Sequence, residues 1–398
     1  CSVPLVSEIP VSDGMIIIDA IFGIGLTRDI TGCFADVISI INSRHEDGEV
    51  VVAVDIASGV HSDNGKVMGC AVKADITVTF GFKKTGMILY PGCSLSGDII
   101  RADIGFSEDA IINAALKWYI CDDSDLTRLP KRRPDSNKGS YGKILVIAGS
   151  RNMAGAAILS ARAAYTCGAG LVSVYTDECN RIILQQSLPE AVLKTYDEDE
   201  DFSGISRIME GQTAVVLGPG LGTGETSVRL VKAVLKGLSV PAVIDADALN
   251  IISSDEELKS SLSELSSPAI ITPHMKELSR LTGYNIQYLQ DHADKICRDF
   301  SHENSVICIA KNARTIITGD FEEVYVNISG NEGMSTGGSG DVLTGVIAAL
   351  LGQGMKAYDA AVLGVYIHGR AGDDAAERLG TRSMLAMDIV KSLPEVLK

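Results

Sequence analysis

Short apolar runs that stop at an acid, a glycine or a histidine alternate along this chain with longer segments of helical period. Residues 15–18 run into Asp19, Val50–Val54 runs into Asp55, and Ile76–Phe80 is a third run of the same kind. Runs of four or five β-branched residues, with a helical segment over about residues 33–43 between the first two, predict a parallel sheet covered on both faces. Such sheets bind ligands beyond the carboxyl ends of their strands. Asp19 and Asp55 stand there, each either capping a turn or facing a ligand. Gly23 and Gly25 in AIFGIGLTRD mark the turn from the first strand to the first helix.

The period is lost over about residues 121–143, where DDSDLTRLPKRRPDSNKGSYGK carries Pro130, Pro134 and a basic run at residues 131–133. A linker over residues 122–141 is expected, dividing a first domain at 1–121 from a second at 142–398. In the second domain, strands are expected at residues 143–148 and 171–175 and at Ala214–Leu217, Ala242–Ile244, Ala269–Ile271 and Val306–Ala310. An alanine-rich helix over residues 155–166 and a hairpin partner at Ile316–Thr318 complete the pattern. The acidic run at 197–201 reads as a solvated loop. Five strand ends lead into GSRNMAGAA, GPGLG, DADALN, TPHMKEL and KNART. One such end is ordinary in an α/β protein, whereas five in series imply a ligand crevice. Taken singly, His274 also reads as a capping histidine, Lys311 as a solvated hairpin residue, and Asp245 and Asp247 as turn caps or magnesium ligands.

Near the end, GNEGMSTGGSGDVLTGVIAALL over residues 330–351 joins a dense glycine loop to a helix start. Val342, Leu343, Val346, Ile347, Leu350 and Leu351 share one face at helical spacing. The glycines then lie where the first four N–H groups have no partner inside the helix and the dipole is positive, which is an anion site. Asp341 is the anomaly. In the first turn of such a helix a carboxylate is either a cap or a general base aimed beside a phosphoryl group.

Composition narrows the classes. Of 398 residues, 46% are hydrophobic and 22% charged, with no uncharged apolar run near the length of a membrane span. A formal charge of −16 argues against nucleic acid and anionic membranes as partners. The nine cysteines, none in a C-x-x-C pair, read as reduced packing residues of a cytoplasmic protein rather than a disulfide framework or zinc site. The chain opens on Cys1 and reaches a buried-looking strand at once, so residues upstream are expected; a lipidated Cys1 is the lesser alternative. Neither a Walker A loop nor a G-x-G-x-x-G fingerprint after the first strand of either domain is present.

The motifs KILVIAGS with MAGAA, VVLGPGLG, VIDADALN, ITPHMKEL, KNART and GNEGMSTGGSGDVLTG, in that order, resemble the ADP- or ATP-dependent NAD(P)H-hydrate dehydratases. That resemblance covers residues from about 142 to the end and implies a ribokinase-like, three-layer α/β/α domain. It implies that Ala154, Gly155, Ala156, Gly220, Gly222, His274 and Asp341 contact the hydrated nicotinamide nucleotide. The adenine nucleotide would be held by Lys311, Asn312, Ala313, Arg314 and Thr315 and by Asn331, Gly333, Thr336, Gly337, Gly338, Ser339 and Gly340. Asn312 stands where the family more usually has glycine. DAIFGIGLTRD, VAVDIASG and ADITVTFGFKKTGMILYPG resemble the later part of the NAD(P)H-hydrate epimerase domain, a partial Rossmann-like α/β unit. On that resemblance Asp19 and Ser58 ligate potassium, and Gly23, Ile24, Gly25, Leu26, Thr27, Arg28, Asp29 and Asp55 face the epimerised nucleotide. Ala57 replaces the family's usual proline, and the family's Asn-Asn-Gly-Gly-Asp-Gly phosphate loop is not found in these residues.

The expected reaction is dehydration of NADH or NADPH hydrate: Asp341 deprotonates the C6 hydroxyl, which takes the terminal phosphoryl of ADP or ATP and is then lost as phosphate. Mg2+ is expected with the nucleotide, K+ at the epimerase-like half, and further copies of the chain as partners. Two rivals remain open: a ribokinase-like small-molecule kinase that stops at the phosphate ester, and a non-catalytic N-terminal module for oligomerisation or binding.

Overall fold

A computed structural model describes residues 15–398, which divide into two compact units, one ending at Leu116 and one running from Lys117 to Lys398. Cys1 lies outside the described residues. The first unit is a four-stranded, all-parallel sheet in the order β1 (Ile16–Asp19), β2 (Val50–Val54), β3 (Ile76–Phe80) and β4 (Asp98–Ala102). Helix α1 (Cys33–Glu46) joins β1 to β2, a long loop joins β2 to β3, the short α2 (Thr85–Ile88) precedes β4, and α3 (Glu108–Asn113) closes the unit. Alternation sends Val51, Ala53 and Ile17 to one face, where they pack with Ile38 and Ile41 of α1.

The other face departs from the expectation of a sheet covered on both sides. Ile16, Ile18, Val50, Phe80 and Ile100 share it by alternation and register, and all five are exposed. The hydrophobic runs had implied burial, but a run shows only that both faces are apolar and not what covers them.

The second unit opens on β5 (Trp118–Tyr119), which pairs with β14 (Val324–Val326) at the edge of its sheet. The segment expected as a linker is therefore tied to this unit: Tyr366 donates its hydroxyl to Asp123, and Arg132 donates to the Gly168 carbonyl at 2.7 Å. Ten strands form one sheet in the order β5, β14, β13, β12, β11, β10, β9, β6, β7, β8. Here β6 is Lys143–Ile147, β7 Leu171–Asp177, β8 Val192–Tyr196, β9 Ala214–Leu217 and β10 Ala242–Ile244. Strands β11 (Ala269–Ile271) and β12 (Val306–Ala310) follow, and β13 (Ile316–Thr318) is antiparallel to β12, as the hairpin reading expected.

Both faces of this sheet are covered. Val146, Val216, Val243, Ile270 and Ile309 meet α4 (Ala154–Thr166), α12 (Ser339–Gly352), α13 (Ala357–Leu379) and α14 (Ala386–Val396). The alternate positions, among them Leu145, Leu217 and Ile244, are buried on the opposite side. The helices not yet placed are α5 (Arg181–Ser187), α6 (Ile205–Met209), α7 (Glu225–Gly237), α8 (Asp247–Ser253), α9 (Glu256–Ser261), α10 (Met275–Thr282) and α11 (Ile286–Asn304). Of these, α11 packs on β12 and β13, and α10 packs on α8 and α11. Gly345 lets α12 approach α4, since a Cβ there would fall 2.1 Å from the Ser160 carbonyl oxygen. Because β12, β11, β10, β9 and β6 are parallel neighbours, the five loops at their carboxyl ends lie side by side.

Candidate active site

Helix α12 is entered through Gly338, whose φ of 92° is left-handed, and packs on α4, β9 and β10. Asp341 sits in the first turn, half-buried, and its carboxylate takes no capping hydrogen bond. The cap reading therefore fails. Ser160 and Thr344 instead donate hydroxyls to the Asp341 carbonyl at 2.9 and 2.7 Å, fixing the backbone and leaving the carboxylate unengaged. Burial, with the nearby Asp245 carboxylate, pushes the Asp341 acid up to about 6 against the opposing pull of Lys311.

Lys311, from the turn after β12, donates to Asp245 Oδ1 at 2.7 Å, and the Asp245 side chain is only 2% exposed. A Cβ on Gly340 would lie 3.2 Å from Lys311 Nζ and 3.4 Å from Asp245 Oδ2, so the first turn of α12 abuts this ion pair. The Lys311 N–H donates to the Pro273 carbonyl at 2.8 Å, and Lys311 bridges to His274, joining two neighbouring loops. His274 is indeed a cap: its Nδ1 accepts from the N–H groups of Lys276 and Glu277, while Glu277 accepts the His274 N–H at 2.8 Å. Its ring stays half exposed and so keeps a face for a ligand. Burial lowers the His274 imidazole, with Lys311 adding to the effect, and burial pushes the Glu277 acid up to about 7.

The GPGLG loop leans on the start of α4. At Gly220, where φ is 62°, a Cβ would lie 2.8 Å from that of Ala156 and 3.1 Å from that of Met153. The Gly222 N–H donates to Asp247 at 2.8 Å, which ties the loop after β9 to the loop after β10. Gly155 has open space on its Cβ side. In the glycine loop ahead of α12, Asp373 of α13 accepts the Gly330 N–H at 2.9 Å and the Asn331 amide at 3.0 Å, and Asn331 accepts the Gly333 N–H at 3.0 Å. Ser339 lies 3.4 Å from the buried His368, whose imidazole burial lowers to about 4. Thr336 is half-buried and Gly337 exposed. Asn312 and Ala313 are exposed turn residues, and Asn312 keeps a negative φ, so glycine is not required there. Arg314 donates to the Ile328 carbonyl, and Thr315 to the Asn312 carbonyl.

In the first unit the fully buried Asp19 accepts from the Ser58 hydroxyl at 2.6 Å, the Ser58 N–H at 2.8 Å and the Ile21 N–H at 3.3 Å. Asp55, left-handed with φ 68°, accepts from Lys84, Thr79 and the Phe80 N–H. The segment 23–29 is exposed except for Leu26.

Two family models match, NAD(P)H-hydrate dehydratase over residues 144–395 and YjeF-related protein N-terminus over residues 2–86. Bifunctional NAD(P)H-hydrate repair enzymes of Moorella thermoacetica and Thermofilum pendens are 38% and 36% identical, each match covering 96% of this chain and 73% of the relative. The chain belongs to the bifunctional NAD(P)H-hydrate repair enzymes. Solved structures agree on the fold of the second unit. A ribokinase-like superfamily protein of Enterococcus faecalis superposes with a TM-score of 0.63 at 29% identity, covering 70% of this chain and 95% of that one. The Bacillus subtilis ADP/ATP-dependent NAD(P)H-hydrate dehydratase, co-crystallised with ATP and Mg2+, gives 0.61 at 27%, covering 69% and 96%.

For a member of this repair family, the sequence reading left out the residues that hold the site from behind. Asp373 and His368 lie on α13, and their only sequence signal is that each is a polar residue on an otherwise buried helix face. Lys84 escaped because FGFKKTG shows two adjacent lysines, of which only the folded turn selects one for Asp55.

Proposed function

We propose that the second unit dehydrates NADH or NADPH hydrate at the expense of ADP or ATP. The observation that carries this reading is Asp341, a carboxylate raised to about 6 and free of side-chain hydrogen bonds among the described residues, at a glycine-led helix start beside Lys311. Asp341 takes the proton of the C6 hydroxyl, whose oxygen attacks the terminal phosphorus, and AMP leaves if ADP is the donor. The C6–O bond then breaks, inorganic phosphate departs, a proton is lost from C5, and the C5=C6 double bond returns. The amides of the loop at 336–340 and the Lys311 ammonium offset the charge on the phosphoryl oxygens. Ala154, Gly155, Ala156, Gly220, Gly222 and His274 seat the hydrate, and residues 311–315 with Asn331 and Gly333 seat the adenine nucleotide.

Mg2+ fits as a passenger on the nucleotide phosphates rather than on a protein cage. No group of three or more His, Cys, Asp or Glu able to hold a metal occurs among the described residues, Asp245 is paired with Lys311, and Asp247 accepts from Gly222. Potassium fits the first unit better. Asp19 is a fully buried carboxylate with no ion pair among the described residues, so a monovalent cation held by Asp19 and Ser58 would compensate its charge. The first unit is the epimerase-related half, in which Asp55 and residues 23–29 would face the nucleotide.

The domain boundary we adopt is the foot of β5, at 116/117, with residues 122–141 serving the second unit. The eight described cysteines are all free, which supports a reducing compartment such as the cytoplasm. No helix among the described residues is long and apolar enough to cross a membrane. Exposed Ile182, Ile183 and Val192 on α5 and the edge strand β8 support self-association.

The test is to mix NADH hydrate, ADP and protein and follow the absorbance of reduced nicotinamide. Recovery with release of AMP and phosphate is expected. A stable phosphate ester without recovery would install the small-molecule kinase in its place.

A further inference from the structure

A cavity of about 470 Å³ opens on the second unit at the β5–β14 edge, lined by Tyr119, Phe321, Tyr358, Glu323, Asp125 and Arg128 among others. None of these residues belongs to the Asp341 site. Four aromatic residues, Tyr119, Phe321, Tyr325 and Tyr358, stand in its lining, with the Phe321 and Tyr358 rings edge-to-face at 4.5 Å. The charge is not balanced. Asp125, Glu323 and Asp359 line the cavity against one guanidinium, that of Arg128, which is already bonded to Asp359 and lies 3.4 Å from Asp125. Glu323 forms no ion pair among the described residues and is exposed at the cavity. After burial, the carboxylates of Glu323 and Asp359 are what raise the Tyr358 phenol, so the negative field reaches the middle of the aromatic wall.

We propose that this cavity binds an organic cation of the alkylammonium class. Its volume suits a small ligand, its ring faces attract a positive charge, and Glu323 supplies the carboxylate such a charge needs on leaving water. An anion would meet the excess of carboxylates. A neutral aromatic could use the rings but would gain nothing from Glu323, so dependence on that residue separates the two.

The chain's only tryptophan, Trp118, immediately precedes Tyr119 and gives an optical reporter. Choline chloride is titrated into the full chain, with tryptophan emission and calorimetry read in parallel and KCl at matched ionic strength as control. A saturable response to choline alone is expected. In Glu323→Lys, an exposed position where folding is not at issue, choline affinity falls at least tenfold; in Tyr119→Ala it falls about threefold or more. NADH-hydrate turnover is unchanged in both variants. Absence of saturable heat with choline, an equal response to KCl, or unaltered affinity in Glu323→Lys would each overturn the proposal.

Discussion

Asp19 and Asp341 are both acids withdrawn from water at the ends of regular elements, yet they are built for opposite ends. Asp19 is fully buried and accepts three hydrogen bonds, two of them from Ser58, so its oxygens are held by fixed donors. Asp341 is less buried and its carboxylate accepts none, with Asp245 nearby to disfavour its charge. Donors anchor an anion, and withholding them keeps it basic. What separates the two in geometry is the supply of N–H and O–H groups around each carboxylate, and burial without such donors is what raises the Asp341 acid.

The sharpest way to break that contrast is Asp341→Ala. Hydrate turnover should fall about 10³-fold while nucleotide affinity, measured by calorimetry, stays within about twofold. With the wild-type enzyme, turnover should decline about tenfold per pH unit below about 6, the value to which the Asp341 acid is pushed, because only the ionised form can accept the proton. A rate unchanged down to pH 5 would remove Asp341 as the base.

Asp245→Ala comes next. It strands the Lys311 ammonium beside the glycine loop, and the midpoint of chemical denaturation should report a loss of about 3 kcal/mol. Asp341→Asn should do the reverse. An acid raised in the folded state favours folding fully below its unfolded value near 3.8 and loses that contribution as pH rises through about 6. The neutral amide escapes that penalty, so at pH 8 the inactive variant should be about 2 kcal/mol more stable than wild type, and at pH 4 or below the gain should vanish. The smallest effect belongs to Asp19→Asn. One of its two oxygens becomes a donor facing the Ser58 N–H or hydroxyl, so stability should drop by about 1 kcal/mol while dehydration is untouched.

Much of this architecture is legible in the order of residues. The runs at Ala214–Leu217 and Val306–Ala310 declare themselves because a strand covered on both faces is apolar at every position. The start of α12 is equally plain, since a glycine loop leading into an apolar helix has few other uses. The two-residue strand β5 was not legible. Its membership of the second sheet depends on pairing with Val324 and Tyr325, some 200 positions away, and not on any period of its own. The face of the first sheet that is exposed among the described residues escaped for the complementary reason, that an apolar run carries no record of its covering layer.

By itself, the sequence determined which strand ends carry turn glycines and polar side chains and in what order, because turn glycines and lone acids after apolar runs are local signals. Only the tertiary structure decided which partner each of those groups received. Whether Asp245 met Lys311, whether Asp373 caught Gly330 and Asn331, and whether Asp341 was left without a donor all turn on segments tens to hundreds of residues apart. Hydrogen bonds and ion pairs act over a few ångströms, and only packing brings such distant segments that close.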